Sequence, residues 1–217
     1  MDPFLIRRAL VALIVAMPAL AETVLFKDDF NGKLAEGWTW VREHPGAWRT
    51  SEKGLEIRIE PGNMWGPDND GKNVLVRTLP AAKDGALAIG VDVENVPTEE
   101  YEQVDLVWYY DDSHMVKLGL ELVHEVLCIV MGREEGDKPD TVAKIPVKEH
   151  VQHLRLSARG NTVRGEYRAG SAPWTLAGEC SLPVHGDAKA SIQCYQGGEG
   201  VEHWAKITRF SITVLDK

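Results

Sequence analysis

Residues Lys117–Met131 read KLGLELVHEVLCIVM, and the period assigned to this stretch decides the fold. Its composition would suit a buried helix, but its order suits strands. Lys117, Gly119 and Glu121 alternate with Leu118, Leu120 and Leu122. The run VLCIVM that follows is β-rich and ends at Gly132. Alternation places successive side chains on opposite faces of a sheet, so the stretch predicts two strands. The preceding segment, YEQVDLVWYYDD from Tyr101 to Asp112, has the same period. Gln103, Asp105, Val107 and Tyr109 fall on one face, and Val104, Leu106, Trp108 and Tyr110 on the other. A turn near Asp112-Ser113 would pair these strands as a hairpin. Tyr109 would then lie near His114 to Val116, and Gln103 or Asp105 near Glu121.

Outward from this hairpin the period remains two. LEIRIE (Leu55 to Glu60), NVLVRT (Asn73 to Thr78), LAIGVDVENV (Leu87 to Val96), HLRLSARG (His153 to Gly160) and FSITVL (Phe210 to Leu215) all alternate. Clusters of Gly, Pro, Asn and Asp separate them, as in PGNMWGPDNDGKN, REEGDKPD and QGGEG. RGNTVRG reads as a hairpin tip. Outside the first residues no long stretch shows the i, i+3, i+4 apolar spacing of a helix. Many short strands with regular turns and no helices predict an all-β chain, an antiparallel two-sheet sandwich or jelly roll.

The first 21 residues stand apart. Arg7 and Arg8 precede an apolar run from Ala9 to Met17, and Ala19-Leu20-Ala21 has the form of a cleavage site. The expectation is a signal peptide over residues 1–21 and a single sandwich domain over 22–217, secreted or periplasmic. The apolar run is too short for a membrane span, so no membrane attachment is expected after cleavage. The formal charge of the chain is −9, and no basic cluster is present. That combination argues against a nucleic-acid partner, which needs grouped Lys and Arg. Three cysteines do not make a disulfide framework. A single bridge from Cys180 to Cys194, with Cys128 free, and three buried thiols are both compatible with the spacing.

Several segments together resemble a known superfamily. They are VLFKDDFNGKLAEGWTWVREHPGAWRT, LEIRIEPGNMWG, NVLVR, YEQVDLVWYYDDSHMVKLGLEL and WAKITRFSITV. The chain is similar over most of its length to concanavalin A-like lectin/glucanase proteins. More narrowly it resembles small bacterial modules related to the domain at the C-terminus of some β-xylosidases. The resemblance implies two packed antiparallel sheets, one concave, and a carbohydrate ligand. The superfamily's glucanases carry their acids on one strand as E-x-D-x-(x)-E, and no such run is present. VDVENV supplies only Asp92 and Glu94, and ELVHE only Glu121 and Glu125.

The candidate ligand residues follow from faces and residue types. In GWTWVREHPGAWRT (Gly37 to Thr50), a strand over WTWVRE would put Trp38, Trp40 and Arg42 on one face. An aromatic ring offers a sugar an apolar platform, and an Arg fork offers donors to hydroxyls or carboxylates. The hairpin adds Gln103, Asp105, Lys117 and Glu121. Arg77 and, on a later strand, Gln193 and Tyr195 would extend the groove, and Trp65 stands in a loop beside it. Each has an alternative reading: Trp as core packing, and the mixed charges as cross-strand ion pairs on a solvated face. The leading expectation is a non-catalytic module binding poly- or oligosaccharide, including an anionic one. A hydrolase or lyase using Asp105 and Glu121 is the alternative, since two carboxyl groups about 5–10 Å apart would serve glycoside cleavage. An envelope interaction module without sugar dependence is the second. No cofactor is expected. A structural calcium at Asp28 and Asp29 or at Asp68 and Asp70 is compatible with the residue types, and the oligomeric state is left open.

Overall fold

The computed structural model describes residues 22–81 and 86–215, so the expected leader lies outside the described residues. Fifteen strands and one short 3-10 turn, Pro45–Ala47, account for the regular structure, and no α-helix occurs among the described residues. In chain order the strands are β1 (Glu22–Asp28), β2 (Trp38–Val41), β3 (Trp48–Ser51), β4 (Gly54–Arg58) and β5 (Val74–Thr78). Then come β6 (Ala86–Glu94), β7 (Gln103–Asp111), β8 (His114–Val123), β9 (Val126–Glu135) and β10 (Pro139–Pro146). The last five are β11 (Val151–Arg159), β12 (Thr162–Arg168), β13 (Thr175–Ser181), β14 (Lys189–Tyr195) and β15 (Trp204–Leu215). They form two antiparallel sheets. One runs β13-β12-β11-β6-β15-β4-β3 with β1 also on β15; the other runs β10-β9-β8-β7-β14-β5-β2.

The deciding stretch is two strands. β8 ends at Val123 and β9 begins at Val126, with His124 (φ 52°) and Glu125 (φ 63°) as the two turn residues. Positive φ at both positions matches the twist of flanking strands in a two-residue hairpin. β9 does not stop at Gly132 as the sequence suggested; it continues to Glu135. The alternation then builds the core. Leu55, Ile57, Ile89, Val91, Leu154 and Leu156 of the first sheet pack against Val104, Leu106, Leu118, Leu120, Ile129 and Ile192 of the second.

The stretch rich in Trp and Arg closes one edge of this sandwich. β2 is the terminal strand of the second sheet and β3 the terminal strand of the first, so the chain between them crosses from one sheet to the other. Trp38 packs edge-on against Phe210 at 4.8 Å between ring centroids, and Trp40 lies 4.9 Å from Trp48. Both rings therefore face inward. The strand also ends earlier than expected. Arg42, at φ 53°, leaves the extended conformation and turns to the opposite face from Trp38 and Trp40.

The three cysteines are unbridged. Cys194 is enclosed in the core from β14, inside the second sheet, whereas Cys180 sits on β13, the terminal strand of the first. The Cys180–Cys194 bridge is thus not formed. Asp28 acts as a local hub. Its carboxylate accepts hydrogen bonds from Phe30 N (2.8 Å), Ala35 N (2.9 Å) and Trp38 Nε1 (2.9 Å), which ties the loop after β1 to the edge plug. Asp28→Ala leaves these three donors without an acceptor and is expected to cost about 3 kcal/mol of stability. A urea titration checks this as a lower midpoint at unchanged m; an unchanged midpoint would show that the hub is dispensable.

Candidate functional site

The outer face of the seven-stranded sheet is where alternation directs the polar residues of the central hairpin. Gln103 stands opposite Glu121 on β8 and Tyr195 on β14; Asp105 stands opposite Gly119 and Gln193. Lys117 stands opposite Val107 on β7 and Gly132 on β9. The residues expected to share this face, Gln103, Asp105, Lys117, Glu121, Gln193 and Tyr195, do share it.

Lys117 is its centre. The side chain is buried, at 3% exposure, and its ammonium donates to Gln103 Oε1, to Glu121 Oε2 at 3.2 Å and to Tyr195 Oη at 3.4 Å. An ammonium has three donors, so these acceptors saturate it. It also lies 4.8 Å from the Trp65 ring centroid, where the ring quadrupole attracts a cation. Burying a charge is tolerated only with such compensation.

Asp105 lies deeper, at 0% exposure; neither carboxylate oxygen has a hydrogen bond of good geometry, and the Tyr195 hydroxyl is the donor nearest to serving it. It packs over Gly119, where a Cβ would come within 1.7 Å of its Oδ1. Glycine is therefore required between Lys117 and Glu121. Burial pushes the Asp105 carboxyl up to about 7, against the opposing pull of Lys117. Burial also raises the Glu134 carboxyl to about 7, against the Gly66 N–H that it accepts. Glu121 differs from Asp105 because it reaches the surface of a pocket.

That pocket has a volume of about 470 Å3, within the range of small-molecule sites. Gln103, Lys117, Glu121 and Val130 line its floor; Trp65, Asn63 and Gln196 stand on one side, Tyr101 and His124 at one end, and Thr141 and Lys144 by β10. Among the described residues the side chains of Tyr101, Thr141, Lys144 and Gln196 make no hydrogen bond to protein, leaving them free for a ligand. Sequence reasoning missed all four. Tyr101 precedes β7 in a turn at φ 67°, Gln196 follows β14 at φ 62°, and β10 carries a register shift between Thr141 and Ala143. Strand alternation does not project across such irregularities.

The rest of the expected face is closed. The loop from Glu60 to Asn73 folds across it. Met64 is fully buried against Val74, Val76, Val107, Tyr109, Met115 and Tyr195. Trp65 lies on Gly132, whose added Cβ would meet the ring at 2.4 Å. Gly66 N donates to Glu134 at 3.0 Å, and Gln196 N to Gly62 O at 3.1 Å. Gln193 and Tyr195 are thus covered, at 1% exposure each, rather than open to a groove.

Two of the expected ligand residues belong elsewhere. Trp40 pairs with Leu75 on β5 and faces the core side with it. Arg77 faces the same side, with its guanidinium 3.5 Å from the Phe26 ring centroid and Nη1 on Glu36 O at 2.5 Å. Neither reaches the pocket. Arg42 reaches the outer face but is held there by Asp112 (2.6 and 3.1 Å) and by Gly71 O (2.7 Å). It acts as a strut for the loop. Asp105 and Glu121 do not form an accessible carboxylate pair, because Asp105 is sealed beneath the floor. For the calcium expectation, Asp28 is already filled with N–H donors, and Asp70 Oδ1 accepts Asn63 N at 2.7 Å. Among the described residues no three His, Cys, Asp or Glu side chains gather as a metal-binding group.

Comparison with known proteins agrees with this architecture. A GH43 protein from Bacillus licheniformis matches with a TM-score of 0.75 and 20% identity, over 87% of this chain and 39% of that one. A xylan β-1,4-xylosidase from Bacillus halodurans gives 0.72 and 18%, over 93% and 41%. A functionally unknown protein from Saccharomyces cerevisiae gives 0.65 and 16%, over 82% and 96%. At these identities the likeness is one of fold, and this chain spans about two fifths of the length of the two bacterial proteins. No curated protein sequence matches the chain. Residues 27–211 match the model of the β-xylosidase C-terminal concanavalin A-like domain. With that match covering most of its length, the chain belongs to this family of concanavalin A-like domains.

Proposed function

We propose that this protein is a non-catalytic carbohydrate-binding module whose ligand is a neutral oligosaccharide held in the Trp65–Tyr101 pocket. The observation that carries the reading is the composition of the pocket. Two aromatic side chains stand around a polar floor, and the surrounding Thr, Lys and Gln side chains have free hydrogen-bonding capacity. Such a mixture suits a sugar, which presents C–H faces to rings and hydroxyls to polar groups. Glu121 would accept from hydroxyls, and Lys144, Thr141 and Gln196 would supply further contacts. The leader expected over residues 1–21 would deliver this activity outside the cytoplasm.

Neutrality follows from charge. Lys117, in the floor, is saturated and is surrounded by Glu121, Asp105 and Glu134, which leaves Lys144 on β10 as the unpaired lysine of the pocket lining, set against that group of carboxyls. Arg42 and Arg77, which had suggested an anionic glycan, are occupied elsewhere. The xylan β-1,4-xylosidase among the structural relatives makes β-1,4-xylo-oligosaccharides the first probe.

Calorimetry with xylohexaose tests the reading. Trp65→Ala and Tyr101→Ala are each expected to weaken binding about tenfold, equal to about 1.4 kcal/mol. Arg77→Ala should leave affinity unchanged, and EDTA should have no effect. Wild-type affinity in both aromatic variants would overturn the assignment of the pocket.

The floor also sets a pH dependence. The folded chain keeps protons on Asp105 and Glu134 up to about pH 7, whereas an unfolded carboxyl gives its proton up near pH 4. The folded state binds more protons across that interval, so stability falls as pH rises from about 4 to 7 and then levels off. Asp105→Asn should flatten this slope in thermal melts between pH 5 and 8. Identical slopes for variant and wild type would mean that Asp105 is ionised throughout.

A further inference from the structure

We infer that the pocket receives the end of a glycan chain and does not accommodate its middle; this rests on the carbohydrate reading above and adds the part of the polymer that is recognised. A polysaccharide bound along its length needs an entrance and an exit in line. Two straight paths lead into this pocket, and both meet one wall; on its far side Asn63 and Gln196 also line a second depression, which is separate from the pocket.

The first path crosses the strands. It starts beside Thr141 and Lys144 of β10, passes over Val130 of β9 and Lys117 of β8, and meets Asn63, Trp65 and Gln196. Beyond them the outer face of β14 and β5 is roofed, with Ser191 at 0%, Gln193 at 1%, Val74 at 1% and Val76 at 5% exposure. The second path runs along β8 and β9 from Tyr101 and His124 past Glu121 and Val130. It meets the Trp65 ring over Gly132, and behind that ring Gly66 is bonded to the buried Glu134. Val107, Tyr109 and Met115 beyond are covered by Met64.

The wall is fixed at four separate places. Gly62 O accepts from Gln196 N, Glu60 O from Gly197 N at 3.0 Å, Glu134 holds Gly66, and Gly71 O accepts from Arg42 Nε, itself clamped by Asp112. Opening a through-groove would break these bonds and expose the Met64 cluster to water, which hydrophobic burial opposes. The last sugar of a chain therefore abuts Trp65 above Lys117, and the preceding sugars leave past Tyr101 or Thr141.

Binding stoichiometry across chain length decides the matter. The mature protein is titrated with xylobiose, xylotriose, xylohexaose and long linear xylan, with complexes sized by sedimentation. End recognition predicts one protein per chain at every length. It also predicts a molar affinity that does not change from xylotriose to xylohexaose. Several proteins on each long xylan chain, or an affinity that climbs with every added sugar, would overturn end recognition while leaving carbohydrate binding in place. Absence of binding to all four would overturn the carbohydrate reading and this inference together.

Discussion

A buried ammonium constrains the whole outer face of the seven-stranded sheet. Lys117 is placed by β-alternation on the outer side of the central hairpin, and once the loop from Glu60 to Asn73 covers that side, its charge must be satisfied internally. The acceptors come from three strands: Gln103 from β7, Glu121 from β8 itself and Tyr195 from β14. Their positions are fixed by the register of adjacent strands, since a slip of one residue would send each side chain to the other face. The hairpin, the pairing of β14 and the placement of Trp65 are thus linked through a single charge.

The carboxyl groups around that charge outnumber it, and their protonation removes the imbalance. Asp105 has at most the Tyr195 hydroxyl as a donor and Glu134 has the Gly66 N–H; both are held up near neutrality by burial. With protons on those two groups, the ion pair that remains in the floor is Lys117 with Glu121. An anionic ligand gains little there, and at higher pH it would meet added negative charge. In the proposed carbohydrate reading, a preference for neutral ligands would come from the carboxyl groups beneath the pocket, set against the single unpaired lysine of its lining, Lys144.

The fold was legible because alternation is a local signal. KLGLELVHEVLCIVM carries it, and the pairing of Gln103 with Glu121 follows once the turn at Asp112-Ser113 is recognised. The site was legible only in its floor. Trp40 and Arg77 were assigned by residue type, and their strands put them on the core side. Arg42 was assigned to the same face as Trp40, but one left-handed residue reversed it. Tyr101, Lys144, Thr141 and Gln196 lie at turns or a bulge, where alternation has no force. The roof itself had no sequence signature beyond its length and its Gly, Pro and Asn content, because loops are specified by tertiary partners such as Glu134 and Asp112.

The concentration of tryptophan near the start of the sandwich then has a different meaning from the one its chemistry first suggests. An open two-sheet sandwich must close the gap where its outermost strands end, or water enters the core. Here the chain passes from β2 to β3 across that gap, and Trp38, Trp40 and Trp48 fill it with large rings while Asp28 satisfies the Trp38 N–H. The arginine between them is what a crossing of this kind leaves over. At φ 53° Arg42 cannot follow the rings inward, so it emerges on the far side and, through Asp112 and Gly71, holds down the roof beside the Trp65–Tyr101 pocket. One short segment thereby seals the core with its tryptophans and braces the loop over the outer face with its arginine.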